Sequence, residues 1–186
     1  KTDSFFKEIF NPELKPKRLE ALLSLLLEQK VRIKCMLPSD NSRIADESSL
    51  LIMDILVELE DGSLANVECQ KIGYMFPGQR CACYSADLLL RQYKQIRNIK
   101  GDMFSYKDVK KVYTIVIFET SAGDFHAFPK DYIHYATHKT NTGLHIDFLQ
   151  EYILIPLDIF RQNLYNRGIE NQLDAWLAFL SVDDPE

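Results

Sequence analysis

Three polar side chains stand out by type and spacing: Asp54, Glu68 and Gln70, within the stretch "DILVELEDGSLANVECQ" that runs from residue 54 to residue 70. Asp54 interrupts an apolar run, and burying a carboxylate with neither partner nor cation costs several kcal/mol. Around it, Leu51, Met53, Ile55, Val57 and Leu59 alternate with Ile52, Asp54, Leu56, Glu58 and Glu60, so the odd positions face a core and Asp54 faces the other way. Glu68 and Gln70 share one face of the following strand with Asn66. The turn at Asp61-Gly62 decides whether that is Asp54's face. A two-residue turn sets Asp54 opposite Cys69 and sends Glu68 to the far side. A three-residue loop, Glu60-Asp61-Gly62 with Gly62 left-handed, sets Asp54 opposite Glu68. In that second register two bare carboxylates would repel. A divalent cation reverses the sign, and Asp and Glu oxygens with a backbone carbonyl suit Mg²⁺ or Mn²⁺. In the first register no shared site results. The alternative to a metal site is that Asp54 caps a nearby backbone group and that Glu68 and Gln70 are solvent-facing residues of an edge strand. Spacing alone leaves both open.

The elements that must position these residues follow from periodicity. "KRLEALLSLLLE" from Lys17 puts Leu19, Leu22, Leu23 and Leu26 at helical spacing, with Glu20 on the polar side. "VRIKCML" alternates with period two and ends at Pro38, which marks a half-exposed strand, and the polar segment 39–49 reads as a loop. Strands at about 50 to 60 and 64 to 72 form the hairpin. Pro77 suits the first turn of a long helix through "RCACYSADLLLRQYKQI". "VYTIVIF" from Val112 reads as a buried strand, with shorter strands near 133–136 and 151–155 and a closing amphipathic helix in "NQLDAWLAFL". The order predicts an α/β fold with a mixed central sheet flanked by helices.

With 186 residues and 46% hydrophobic content, the chain fits one globular domain over 1–186. Because it opens at Lys1 and ends on "SVDDPE", it reads equally well as the N-terminal part of a longer protein. No apolar run is long enough to span a membrane and no signal-peptide pattern opens the chain, so a cytoplasmic protein is expected. Cys35, Cys69, Cys81 and Cys83 show neither zinc-knuckle nor secreted-framework spacing and are expected to be reduced and buried. His134 and His138, four apart in a β-rich segment, lack the acid of a zinc-hydrolase motif. The net charge of −5 hides a contrast: between Arg91 and Lys111 seven basic residues face two acids. That stretch suits a polyanion as well as it suits a solvated helix face.

The segments "LLIMDILVELEDGSLANVECQ" and "FPGQRCACYSADLLLRQY" resemble the PD-(D/E)XK nuclease family transposases, the recombination-promoting nucleases in which the usual E-x-K ends as E-x-Q. Weaker similarity continues through "FFKEIF", "KDVKKVYTIVIF" and "WLAFL". The resemblance implies a restriction-endonuclease-like αβββαβ core and Mg²⁺-dependent (or Mn²⁺-dependent) hydrolysis of DNA phosphodiesters in recombination of mobile elements. Carried over residue by residue, Asp54 and Glu68 would hold the metal, with the backbone carbonyl of Cys69 as a further ligand and Glu20 as an accessory acid. Gln70 would stand where the wider superfamily has lysine; an amide orients water but carries no charge, and Arg80 is the expected substitute. On the long helix Arg80, Tyr84, Asp87 and Arg91 form one stripe. There Arg80 and Tyr84 either contact phosphate, or Arg80 pairs with Asp87 or Glu68 while Tyr84 packs on the sheet. Arg91, Lys94 and Arg97 would follow the DNA backbone. The expected partners are DNA and a second copy of the chain, with no membrane and no organic cofactor. The competing expectation is a catalytically inactive nuclease-fold module that binds DNA or a partner protein.

Overall fold

The computed structural model describes residues 2–38 and 54–181, the side chains of 2–4 excepted; the loop expected over 39–49 and the strand positions Leu51 and Met53 lie outside the described residues. A six-stranded sheet with order β1-β2-β3-β4-β6-β5 is formed by β1 (Ile33–Met36), β2 (Ile55–Leu59), β3 (Leu64–Ile72), β4 (Val112–Thr120), β5 (His134–Ala136) and β6 (Gln150–Pro156). β1, β2 and β3 are antiparallel neighbours. β3, β4 and β6 run parallel, and β5 closes the far edge antiparallel to β6. β4 lies at the centre and is buried along "VYTIVIF", as a strand covered on both faces requires.

Four helices cover one face: α1 (Thr2–Ile9), α2 (Pro16–Leu26), α4 (Leu157–Arg167) and α5 (Gln172–Ser181). Phe6, Phe10, Leu19, Leu22, Phe160 and Leu177 pack there on Ile55, Val57, Val67, Ile115 and Ile117. The long helix α3 (Gly78–Lys100) covers the other face, with Tyr84 and Leu88 against Leu56, Leu64, Val112, Val116 and Phe118. The odd residues of β2 thus face the four-helix side and the even residues face α3, as their alternation requires. The segment α2-β1-β2-β3-α3-β4 is the αβββαβ core.

Several details differ from expectation. Two helices, α1 and α4, stand where none was drawn: α1 is short, and α4 follows directly on Pro156 with little amphipathic contrast. Pro77 is the residue before α3 rather than in its first turn, and its carbonyl accepts from Arg80 and Cys81 N–H at 2.9 and 3.2 Å. All four cysteines are free, but only Cys69 and Cys81 are buried; Cys35 and Cys83 are exposed. Cys35 lies on an edge strand, and Cys83 sits on the side of α3 turned from the sheet.

Candidate metal and DNA site

The hairpin turn sets the site. Gly62 takes φ +89°; its N–H donates to Leu59 O at 2.9 Å, and Leu59 N–H donates to Ser63 O at 2.9 Å. The loop is therefore Glu60-Asp61-Gly62, a geometry that favours glycine at its third position. Ile55 pairs with Val67 and Leu56 with Asn66, so continuing the register by one pair puts Asp54 opposite Glu68. Because Leu59 and Ser63 form a hydrogen-bonded pair, positions 56–66 and 54–68 are non-hydrogen-bonded pairs, where facing side chains come closest.

The two carboxylates are locked to each other's backbone. Asp54 N–H donates to Glu68 Oε1 at 3.1 Å, and Cys69 N–H donates to Asp54 Oδ2 at 2.9 Å. The N–H and C=O of one strand residue point the same way, so the Cys69 carbonyl also faces the Asp54 side of β3. Asp54 Oδ1 lies 2.9 Å from Lys7 Nζ, which reaches across from α1. Glu68 is 1% exposed. Burial, with the Asp54 charge second, pushes its carboxyl up to about 8, while the Asp54 N–H, the Asn66 amide and more distant Arg80 pull weakly downward. The same desolvated setting lifts the Cys81 thiol to about 11. A buried carboxylate next to a second one is a group that a cation would satisfy. The donors present, two carboxylates and a strand carbonyl, are the hard oxygens that Mg²⁺ or Mn²⁺ takes. Among the described residues no group of three or more His, Cys, Asp or Glu side chains is placed to hold a metal.

Gln70 follows on the same face as Glu68, half-buried and level with Phe118 of β4. Just beyond, Gly73 lets β3 close on the end of β4: an added Cβ there would lie 2.7 Å from Ala122 N. Glu20 is not at this site. Its Oε1 accepts from Ile33 N–H at 2.9 Å, and Ile33 pairs with Leu59, five residues or roughly 17 Å along β2 from Asp54. Glu20 ties α2 to the edge strand.

Along α3, Arg80 donates to Tyr84 Oη at 3.0 Å and to Met75 O at 3.1 Å, with its guanidinium 4.4 Å from the Phe76 ring centroid. Tyr84 is 1% exposed, edge-on to Phe76, so its ring cannot lie on a phosphate; it positions Arg80 instead. Arg91, not Arg80, pairs with buried Asp87, its Nε donating to Oδ2 at 3.0 Å. Lys94 and Arg97 are exposed near the helix C-terminus. Lys7 is the site residue that sequence reasoning did not single out. The spacing of Phe6, Ile9 and Phe10 could have revealed its helix, but the pairing with Asp54 is a tertiary contact.

A family model described as "PD-(D/E)XK nuclease family transposase" matches residues 1–186. The chain belongs to that family. Searches of curated proteins and of solved structures gave no match. Membership of the PD-(D/E)XK nuclease family transposases agrees with the six-stranded mixed sheet flanked by helices. The family is one of nucleases acting on DNA. No helix among the described residues is long and apolar enough to cross a membrane.

Proposed function

We propose that the protein is a metal-dependent DNA endonuclease of the recombination-promoting type, with Asp54 and Glu68 as the metal-holding pair and the Cys69 carbonyl beside them. The observation that carries this reading is the meeting of the two carboxylates at a hairpin pair, one of them almost wholly buried. When bound, Mg²⁺ or Mn²⁺ supplies a water of lowered pKa and neutralises charge on the scissile phosphate. The chain's own residues do the rest. Asp54 and Glu68 are pre-oriented by backbone N–H groups, so little is lost in ordering them. Gln70 orients a water through its amide. Lys7 supplies the positive charge that Gln70 lacks, and Arg80, fixed by Tyr84 and Met75, offers a second cation on the α3 side. Lys94 and Arg97 contact the DNA backbone, while Arg91 does so only as far as Asp87 releases it.

One observation favours a second reading. The Lys7 ammonium already sits on Asp54, so the acidic pair is half-neutralised without a metal, as in a module that has kept the fold for binding alone. Calorimetric titration of Mn²⁺ into wild type and Asp54→Ala, with supercoiled plasmid incubated in parallel, separates the two. The nuclease reading expects binding and plasmid relaxation in wild type and loss of both in the variant, with circular dichroism unchanged. Intact plasmid across a wide Mn²⁺ range, together with salt-sensitive DNA binding that is indifferent to Asp54→Ala, would establish the binding module instead.

A further inference from the structure

Beyond Arg80, α3 continues for thirteen residues to Tyr93, roughly 20 Å along its axis. There the chain builds a surface feature that neither core uses. Gly101 ends the helix at φ +54°, and two short turns follow. The second is held by a reciprocal cap in which Ser105 N–H donates to Asp108 Oδ2 at 2.8 Å and Lys107 N–H donates to Ser105 Oγ at 3.3 Å. Lys100 Nζ lies 2.8 Å from Asp108 Oδ1. This fixed loop sets Phe104 edge-on to Tyr93, with centroids 5.4 Å apart, and stacks Tyr106 on Tyr93 with planes 6° apart and centroids 5.9 Å apart. Phe104 and Tyr106 meet edge-to-face at 5.2 Å.

Three rings are thus packed on one another at the surface, and Tyr106 is 74% exposed, next to Met103 at 85%. Arg97 lies over Tyr93, 5.8 Å from its centroid, and donates to its hydroxyl. Lys94 and Lys107, adjacent in sequence to Tyr93 and Tyr106, are exposed, as is Lys100, which pairs with Asp108. Flat aromatic faces flanked by cations match a nucleic-acid strand whose bases are unpaired: the bases stack and the phosphates meet the cations. Blunt duplex would use only the cations, because the faces of its bases are already stacked. An acidic peptide would likewise leave the rings idle.

We propose that the Tyr93–Phe104–Tyr106 cluster is a docking platform for unpaired bases of a DNA strand that runs along α3 from the carboxylate pair. The proposal rests on the nuclease reading above and adds a substrate preference to it: DNA with a single-stranded tail or locally opened strands is favoured over blunt duplex. The spacing from Arg80 corresponds to roughly six nucleotides at duplex rise.

The test is fluorescence anisotropy in EDTA with a labelled blunt duplex and with the same duplex carrying an oligothymidine tail, using wild type, Tyr106→Ala and Tyr106→Trp. Wild type is expected to bind the tailed duplex about tenfold more tightly or better. Tyr106→Ala should bind both duplexes alike, at the wild-type affinity for blunt DNA. Tyr106→Trp should keep the preference and show emission quenched by oligothymidine, over the background of Trp176, which packs on Phe10. If wild type shows no tail preference, or Tyr106→Ala retains it, the platform is overturned while metal-dependent plasmid relaxation leaves the nuclease reading standing. If wild type neither binds nor cuts any DNA, both fall together.

Discussion

Replacing Glu68 by glutamine should stabilise the metal-free protein while abolishing the metal binding proposed above. Burial raises the Glu68 carboxyl from an ordinary 4.5 to about 8 in the folded chain. Below the unfolded value both states are protonated and the shift has no cost. Between the two values the unfolded chain is ionised and the folded chain is not, so stability falls as pH rises and is lost through the folded value. At pH 7 the difference corresponds to about 3 kcal/mol. Glutamine is nearly isosteric, carries no charge, and keeps an oxygen that can accept from Asp54 N–H, the bond now 3.1 Å long. Removing the penalty should raise the melting temperature of the metal-free protein by about 6–12 °C at pH 7, with the gap closing toward pH 5. Mn²⁺ reverses the order: at a hundredfold excess over its dissociation constant it should stabilise wild type by about 2.7 kcal/mol and leave Glu68→Gln unchanged. Melting curves followed by circular dichroism over pH 5 to 8.5 (about), with EDTA or Mn²⁺, read all of this. Coincident melting temperatures at pH 8, or a gap that does not depend on pH, would refute the account of a desolvated carboxylate.

Other substitutions probe the remaining parts. Lys7→Gln should lower plasmid relaxation about 100-fold while Mn²⁺ affinity holds or rises, because a competing cation leaves Asp54; calorimetry and cleavage rates that stay at wild-type values together would reduce Lys7 to a surface ion pair. Replacing Lys94 and Arg97 together by glutamine should weaken binding to all duplex sequences alike and reduce the slope of log affinity against log salt by about 1.8, read from anisotropy titrations at several salt concentrations. Arg91→Met strands the buried Asp87 carboxylate and should cost about 3 kcal/mol in urea unfolding, whereas Arg91→Met combined with Asp87→Asn should recover most of that loss. Gly62→Ala forces a left-handed residue at φ +89° with its Cβ 3.2 Å from Lys110 Cγ, and should destabilise by about 1–2 kcal/mol.

The parts of the fold that were legible in the sequence are those where one period dominates. Leu19, Leu22, Leu23 and Leu26 announce α2, and the even and odd residues from Asp54 to Glu60 announce a strand whose two faces meet different layers. Asp61-Gly62 announced a hairpin but left its length open, and that length decides the chemistry: one residue more or less in the loop moves Glu68 across the sheet. The acidic pair could therefore be named from the sequence but not brought together. Glu20 shows the opposite error. Its helix was read correctly, yet a helix position says nothing about which end of the sheet it overlies, and the Ile33 N–H it accepts from lies at the turn end of the hairpin. The stripe on α3 leaves Tyr84 open between contacting phosphate and packing on the sheet; the structure takes the second, burying the ring against the sheet with its hydroxyl on Arg80.

The basic groups near the acids come from helices on opposite faces of the sheet, and this bears on how a nuclease site tolerates glutamine in place of lysine. A lysine at position 70 would project from β3 next to Glu68, toward α3. Lys7 approaches instead from α1, on the opposite face, and reaches Asp54 because Asp54 stands at the start of β2, where the sheet no longer separates the two layers. Arg80 comes from the first turn of α3, where the uncharged acceptors Tyr84 and Met75 fix its guanidinium without neutralising it. A positive charge on the Asp54 side thus costs no cation in the buried α3 layer, where a lysine beside Glu68 would have to be desolvated with it. With Gln70 neutral, Glu68 keeps no direct cationic partner among the described residues, and its carboxylate is left to whatever ion enters between it and Asp54. On the proposed reading the amide and the displaced lysine form one arrangement: the charge that would steady the phosphate lies at the rim, and the buried acid is left to the metal.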